Sequence, residues 1–245
     1  MRVDHREWDE IRPVQMEIGI VENAKGSCII SCGKTKVLAT ASVTQSVPPF
    51  LVDTGKGWLT AEYSMLPGST IQRKNRERNK SDSRSIEIQR LIGRTLRSVV
   101  DFEKMPGITI HIDCDVINAD GGTRTASITG GFVALCLCVD RLMQEGLLKE
   151  SPITGYLAAI SGGIVKDELL LDLCYVEDSS AAADMNMVAT QEGDIAEVGI
   201  TGEKRTVKDT EFQQLMQLCK KGIGELIELQ KQALGDANRV IMIRE

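Results

Sequence analysis

Histidine is almost absent from this chain: its 245 residues contain two, His5 and His111. The seven cysteines, at 28, 32, 114, 136, 138, 174 and 219, are odd in number and include no CxxC pair. These two shortages argue against a zinc site and a disulfide framework, and leave buried, reduced thiols acting as small hydrophobes. No apolar run approaches the roughly 18 uninterrupted residues of a membrane span. The first twelve residues are charged throughout and have no apolar stretch, so no secretory signal is expected. A cytoplasmic location follows as the expectation. There is also no Pro/Gly/Ser-rich linker, and the six prolines are scattered. The whole of 1–245 therefore reads as one domain.

The composition is that of an ordinary globular protein, with 42% hydrophobic and 26% charged residues. The charge is unevenly placed. Residues 72–97 hold nine basic side chains against three acidic ones, a net +6 within a chain of −6, so the remainder carries −12. A basic segment on an acidic body suits a polyanion held at one place. The same pattern also describes a solvated helix face followed by a loop.

Hydrophobic periodicity predicts two hairpins. Residues 27–32 and 35–43 turn at Gly33-Lys34, and 156–165 and 168–176 turn at Lys166-Asp167. Gly33-Lys34-Thr35 superficially resembles the end of a P-loop, but Cys28 stands where the loop glycine belongs and a strand follows. Residues 108–117 alternate as a two-faced strand. Helices are predicted from Ile88 to Val100, over about 125–146 and over about 208–234, on the spacing of their apolar residues. Hairpin, further strand and helix thus occur twice, which predicts an α/β sandwich of the α+β type with two pseudo-repeated halves.

Three places can carry chemistry. Asp120-Gly121-Gly122-Thr123-Arg124 follows a strand and opens a helix. Its glycines let the backbone approach a ligand, the free helix amides face that ligand, and Thr123 and Arg124 add a hydroxyl and a forked cation. The alternative is a plain strand-to-helix turn in which the threonine caps the helix. Asp82-Ser83-Arg84-Ser85 precedes the first helix, where Ser83 or Ser85 can serve as cap. A cation at that positive helix end suits a bound anion, or is simply an exposed arginine. Between a strand expected to end near 177 and one expected to begin near 184, Asp178 and Asp184 can face each other. Two such carboxylates either hold a magnesium ion between them or cap loop amides. An anion pocket, a metal pair and a basic tract together point to phosphoryl transfer on a polyanion.

Long stretches carry a resemblance. They include Met1-Arg-Val-Asp, Gly57-Trp-Leu-Thr-Ala-Glu-Tyr-Ser-Met-Leu-Pro67, Glu87-Ile-Gln-Arg-Leu-Ile-Gly-Arg94, Ala119-Asp-Gly-Gly-Thr-Arg-Thr-Ala-Ser-Ile-Thr-Gly130, Glu177-Asp-Ser and Asp184-Met-Asn. In these the chain resembles the ribonuclease PH family of bacterial phosphorolytic exoribonucleases. The resemblance implies two βαβ-type halves, a hexameric ring built as a trimer of dimers, and trimming of tRNA 3′ ends and other RNA with inorganic phosphate as co-substrate. It implies phosphate binding by Arg84, Gly122, Thr123 and Arg124, catalysis and metal binding (Mg²⁺ or Mn²⁺) by Asp178 and Asp184, and RNA contacts by Arg73 and Arg76. The alternative on the same fold is a catalytically inactive RNA-binding ring subunit, which would be expected to lose pocket residues that this chain keeps. Departures from the family pattern are His5 in place of a usual glycine, Gly68-Ser69 in place of arginine-alanine, and the stretches 79–83 and 197–204. They bear on RNA affinity more than on chemistry.

Overall fold

The computed structural model describes residues 2–76 and 83–243. Arg78, Lys80, Asp82 and the 79–82 part of the atypical loop lie outside the described residues.

Two sheets enclose the long helices. The first contains β1 (Val14–Ile18), β2 (Gly26–Cys32), β3 (Thr35–Thr44), β4 (Trp58–Met65) and β5 (Thr109–Asn118), in the order β1-β2-β3-β5-β4. β2 and β3 pair around the two-residue turn Gly33-Lys34, with Cys32 opposite Thr35. β4 runs parallel to β5, a pairing that needs a crossover, and α1 (Ser83–Arg97) provides it. The apolar face of β5 is buried as its alternation predicts, with Ile110, Ile112 and Val116 fully enclosed.

The second sheet is wholly antiparallel and orders β7-β6-β8-β9, from β6 (Leu157–Val165), β7 (Glu168–Leu171), β8 (Ala183–Thr190) and β9 (Ile195–Gly202). β7 and β8 flank β6 and run the same way, with the short helix α3 (Tyr175–Ser180) between them in sequence, so this half too is of βαβ type. One correction belongs here. The strand expected to continue to about 177 stops at Leu171, because Asp172 takes a left-handed φ of 52°. A turn of helix follows, whose first free amide, Cys174 N–H, donates to the Glu177 carboxylate at 3.1 Å.

α2 (Thr123–Gln144) lies between the two sheets, and α4 (Asp209–Leu234) packs beside it on the second. By length and composition α2 would cross a bilayer, yet 78% of its apolar window is already buried as core. The Thr129 hydroxyl stitches α2 to β6, donating to the Ala159 carbonyl (3.2 Å) and accepting its N–H (3.0 Å). One continuous hydrophobic cluster spans both halves. All seven cysteines are buried and free, and burial pushes thiols such as Cys28 and Cys219 up to about 12.

Candidate active site

The site begins at the mouth of α2. Gly121 and Gly122 both have positive φ, 77° and 65°. A Cβ on Gly121 would lie 2.7 Å from the Leu173 carbonyl oxygen, and one on Gly122 would lie 2.9 Å from an Arg12 nitrogen. Conformation and space therefore both demand glycine here. The turn they make leaves the first amides of α2 without intrahelical acceptors and directed outward.

Three residues outside the motif hold this turn. Thr35, fully buried, donates to the Gly121 carbonyl at 2.6 Å and accepts the Asp120 N–H at 2.9 Å. Arg12 donates to the Asp120 carbonyl at 2.7 Å. Its guanidinium also grips the Asp172 carboxylate through Nε (2.9 Å) and Nη2 (2.6 Å). Tyr63 shares a 2.9 Å hydrogen bond between its hydroxyl and that of Thr123. Thr35 thus belongs to a hairpin, as its sequence context indicates, but its hydroxyl braces the glycine turn before α2.

The charged residues converge on the same place. Arg84 opens α1 and is exposed. Arg124, in the first turn of α2, lies 3.6 Å from Glu87. Burial pushes the Asp178 carboxyl above the usual carboxylate range, and the charges of Arg84 and Arg124 pull it back. Burial also raises Asp184, reinforced by repulsion from Asp178 and Glu203 and opposed by Arg124. Asp178 sits in α3, while Asp184 sits in β8 opposite Gly163 of β6. The two carboxylates are therefore presented by a helix and a strand, which corrects the expectation of a strand-to-strand pairing. The Asn186 side-chain amide donates to Asp184 at 3.3 Å. Among the described residues no cluster of three or more His, Cys, Asp or Glu forms a metal cage. Two mutually repelling carboxylates, Asp184 partly buried and Asp178 exposed, fit a hard divalent cation that keeps most of its waters, as Mg²⁺ does.

Arg73 and Arg76 are exposed on the segment after β4. That segment is tied to the site at its base, where Ala119, one residue before Asp120, donates to the Ser69 carbonyl at 2.8 Å. His5 has a φ of 65°, the left-handed backbone a glycine adopts freely, which explains why its position suits glycine. Further residues that motif reading missed are Arg2, Arg6 and Glu177. Arg2 forms a buried two-pronged pair with Glu177 at 2.8 Å for both bonds, and both arginines donate to the Asp172 carbonyl at 3.0 Å. They anchor the N-terminal segment under α3, and charged pairs so distant in sequence leave no local signal. A larger groove of about 1430 Å³, between this segment, β7 and the start of α4, contains none of the proposed site residues.

Comparison with known proteins identifies the family. Residues 10–139 match the 3′ exoribonuclease family, domain 1, and residues 155–222 match domain 2 of the same family. Ribonuclease PH of Bacillus pumilus is 54% identical over 239 residues, covering 96% of this chain and 99% of that protein. Ribonuclease PH of Bacillus subtilis is 52% identical over 240 residues, covering 97% and 98%. Among solved structures, the Archaeoglobus fulgidus exosome with RNA bound to the active site superimposes with a TM-score of 0.79 at 21% identity, covering 93% of this chain and 91% of that one. Rice Rrp46 gives 0.78 at 17% identity, covering 95% and 100%. The chain belongs to the 3′ exoribonuclease family, alongside the ribonuclease PH proteins it matches along nearly their whole length.

Proposed function

We propose that this protein is a phosphate-dependent 3′→5′ exoribonuclease that trims the 3′ ends of tRNA precursors and other RNA, releasing nucleoside diphosphates. The observation that carries the reading is the meeting of an anion mouth, formed by Gly122, Thr123, Arg124 and Arg84, with the Asp178–Asp184 pair. A hydrolytic nuclease has no use for a separate arginine-lined anion pocket.

In this reading the amides of α2, the Thr123 hydroxyl and the two guanidiniums hold a free orthophosphate in line with the terminal phosphodiester. An oxygen of that phosphate bonds to the phosphorus, the 3′ oxygen of the preceding nucleotide leaves, and the last nucleotide departs as its diphosphate. Orthophosphate is already ionised near neutral pH, so a site without histidine can work without a general base. Asp178 and Asp184 would hold Mg²⁺ or Mn²⁺, which when bound supplies charge neutralisation at the reacting phosphate. Arg73 and Arg76 guide the RNA strand. The energy of the linkage is kept, so an excess of diphosphates drives the reverse reaction and extends the RNA. The proposal includes cytoplasmic location and assembly into a six-subunit ring, which light scattering on the purified protein tests.

The decisive assay incubates an RNA carrying a 3′ trailer with and without phosphate and identifies the nucleotide released. Diphosphates appearing only with phosphate are expected, whereas monophosphates released without phosphate would refute the reading. Arg84→Ala and Arg124→Ala should each raise the phosphate requirement strongly.

A further inference from the structure

Two hydroxyls meet at the mouth of α2, and between them lies a choice that determines whether the site can grip an anion. Tyr63 is 4% exposed and Thr123 8% exposed. Their oxygens are 2.9 Å apart, and either could be the donor. Among the described residues each hydroxyl has the other as its only hydrogen-bond partner. The pair has two protons, and only one can lie between the oxygens. The other points elsewhere.

If Thr123 donated, the free proton would sit on the buried Tyr63 phenol of β4, whose hydroxyl has no other hydrogen-bond partner among the described residues. Leaving a buried donor unmade costs about 1–3 kcal/mol. If Tyr63 donates, the free proton sits on Thr123, the first residue of α2, beside helix amides that have no acceptors of their own. A phenol is also a far better donor than an aliphatic alcohol. Both considerations choose the second arrangement.

We propose that Tyr63 is a positioning residue for the phosphate co-substrate: by donating to Thr123 Oγ1 it commits the Thr123 proton to the bound anion. This rests on the phosphate-dependent reading given above. The phenol lies within the field of the same two guanidiniums. Burial pushes it upward, while the Thr123 hydrogen bond, Arg84 and Arg124 pull it back. Tyr63, Thr123, Arg84 and Arg124 therefore share one electrostatic neighbourhood, although Tyr63 touches no substrate. Phenylalanine at 63 would fill the same space and leave Thr123 free to turn its proton away from the anion.

The test measures initial rates of diphosphate release against phosphate concentration at saturating RNA. Tyr63→Phe should raise KM for phosphate by roughly tenfold, the equivalent of one ordinary hydrogen bond. KM for RNA should stay unchanged. In a Thr123→Val background the same tyrosine change should add less than about twofold, because the hydroxyl it orients is gone. In a Thr123→Ser background the full effect should return. A second measurement needs no turnover: phosphate should raise the thermal midpoint of the wild-type protein, and Tyr63→Phe should need correspondingly more phosphate for the same rise. An unchanged phosphate KM in Tyr63→Phe, an equal penalty in the Thr123→Val background, or a parallel rise in KM for RNA would overturn the proposal. Wild-type protein that releases monophosphates without phosphate would instead overturn the functional reading beneath it, so the two failures are distinct.

Discussion

Replacing Arg12 by methionine probes the anchor of the turn at Asp120-Gly121-Gly122. Arg12 is 3% exposed and Asp172 5% exposed. The substitution removes two charge-assisted bonds to Asp172, at 2.6 and 2.9 Å, and one to the Asp120 carbonyl at 2.7 Å. Deleting one partner of a buried ion pair costs about 3–5 kcal/mol, because the remaining charge stays buried and uncompensated. Two contacts survive and place the effect toward the lower end: the backbone N–H of residue 12 still donates to Asp172 (2.8 Å), and Arg6 Nη1 remains 3.7 Å away. At about 2–4 °C per kcal/mol for a chain of this size, a cost of about 3 kcal/mol should lower the thermal midpoint by roughly 6–12 °C. The pH dependence supplies a second signature. In the wild type, burial raises the Asp172 carboxyl, but the hydrogen bonds and charge of Arg12, helped by Arg6, outweigh it and hold the group below its ordinary value of 3.8. A depressed carboxyl contributes stability that is present above 3.8 and is lost as pH falls through the folded-state value. Without Arg12 burial dominates, the carboxyl rises, and the variant sheds its buried charge at a milder pH. The gap in unfolding free energy should therefore be widest near neutrality and should narrow toward pH 4. Denaturant titration followed by circular dichroism at several pH values measures it. A gap below about 1 kcal/mol at pH 7, or one unchanged by acid, would refute the reasoning.

Three other outcomes are expected. Ser69 is 2% exposed and, among the described residues, its hydroxyl has no hydrogen-bond partner. Ser69→Ala should therefore stabilise the protein by about 1 kcal/mol in denaturant unfolding; a loss of stability would reveal a partner. Asp178 and Asp184 are raised carboxyls, so protons compete for them at a higher pH than for ordinary carboxylates. The Mg²⁺ concentration giving half-maximal activity should accordingly rise on moving from pH 7 to pH 5.5, and Asp184→Asn should lower turnover at least a hundredfold while leaving RNA binding largely intact. Normal turnover in that variant would remove Asp184 from the metal pair. Finally, RNA affinity should fall with salt, and Arg73→Ala and Arg76→Ala should each flatten the log–log slope by about 0.7, the single-strand value per neutralised phosphate. A slope unaffected by either change would take these residues off the RNA path.

The turn at 120–124, proposed to hold the anion, was legible because all its determinants are neighbours in sequence: a strand, two glycines, a threonine and an arginine at a helix start. The hairpins at Gly33-Lys34 and Lys166-Asp167, and the three longer helices, were legible for the same reason, since periodicity is local. What escaped was held from afar. Tyr63 reaches Thr123 across 60 positions, Thr35 reaches Gly121 across 86, and Arg12 reaches Asp120 across 108. α3 escaped because Leu170–Val176 has the apolar character of a strand. Only the left-handed Asp172, fixed by a distant arginine, and the Glu177 cap convert its end into a helix. Asp178 and Asp184 were paired on chemical grounds, and the structure does place them within each other's field, although the backbone presenting Asp178 was misjudged.

The stitch between Thr129 and Ala159 has a kinetic meaning. The proposed anion mouth is carried by the half that ends in α2, while Asp178 and Asp184 belong to the half built on β6 and β8. Their spacing is thus fixed by interior carpentry rather than by any ligand. A bulkier side chain at 129 or 159 would act as a shim between the halves. Under the proposed function, such a variant would still take up phosphate and still take up metal, each normally, and would be slow only because the two no longer meet.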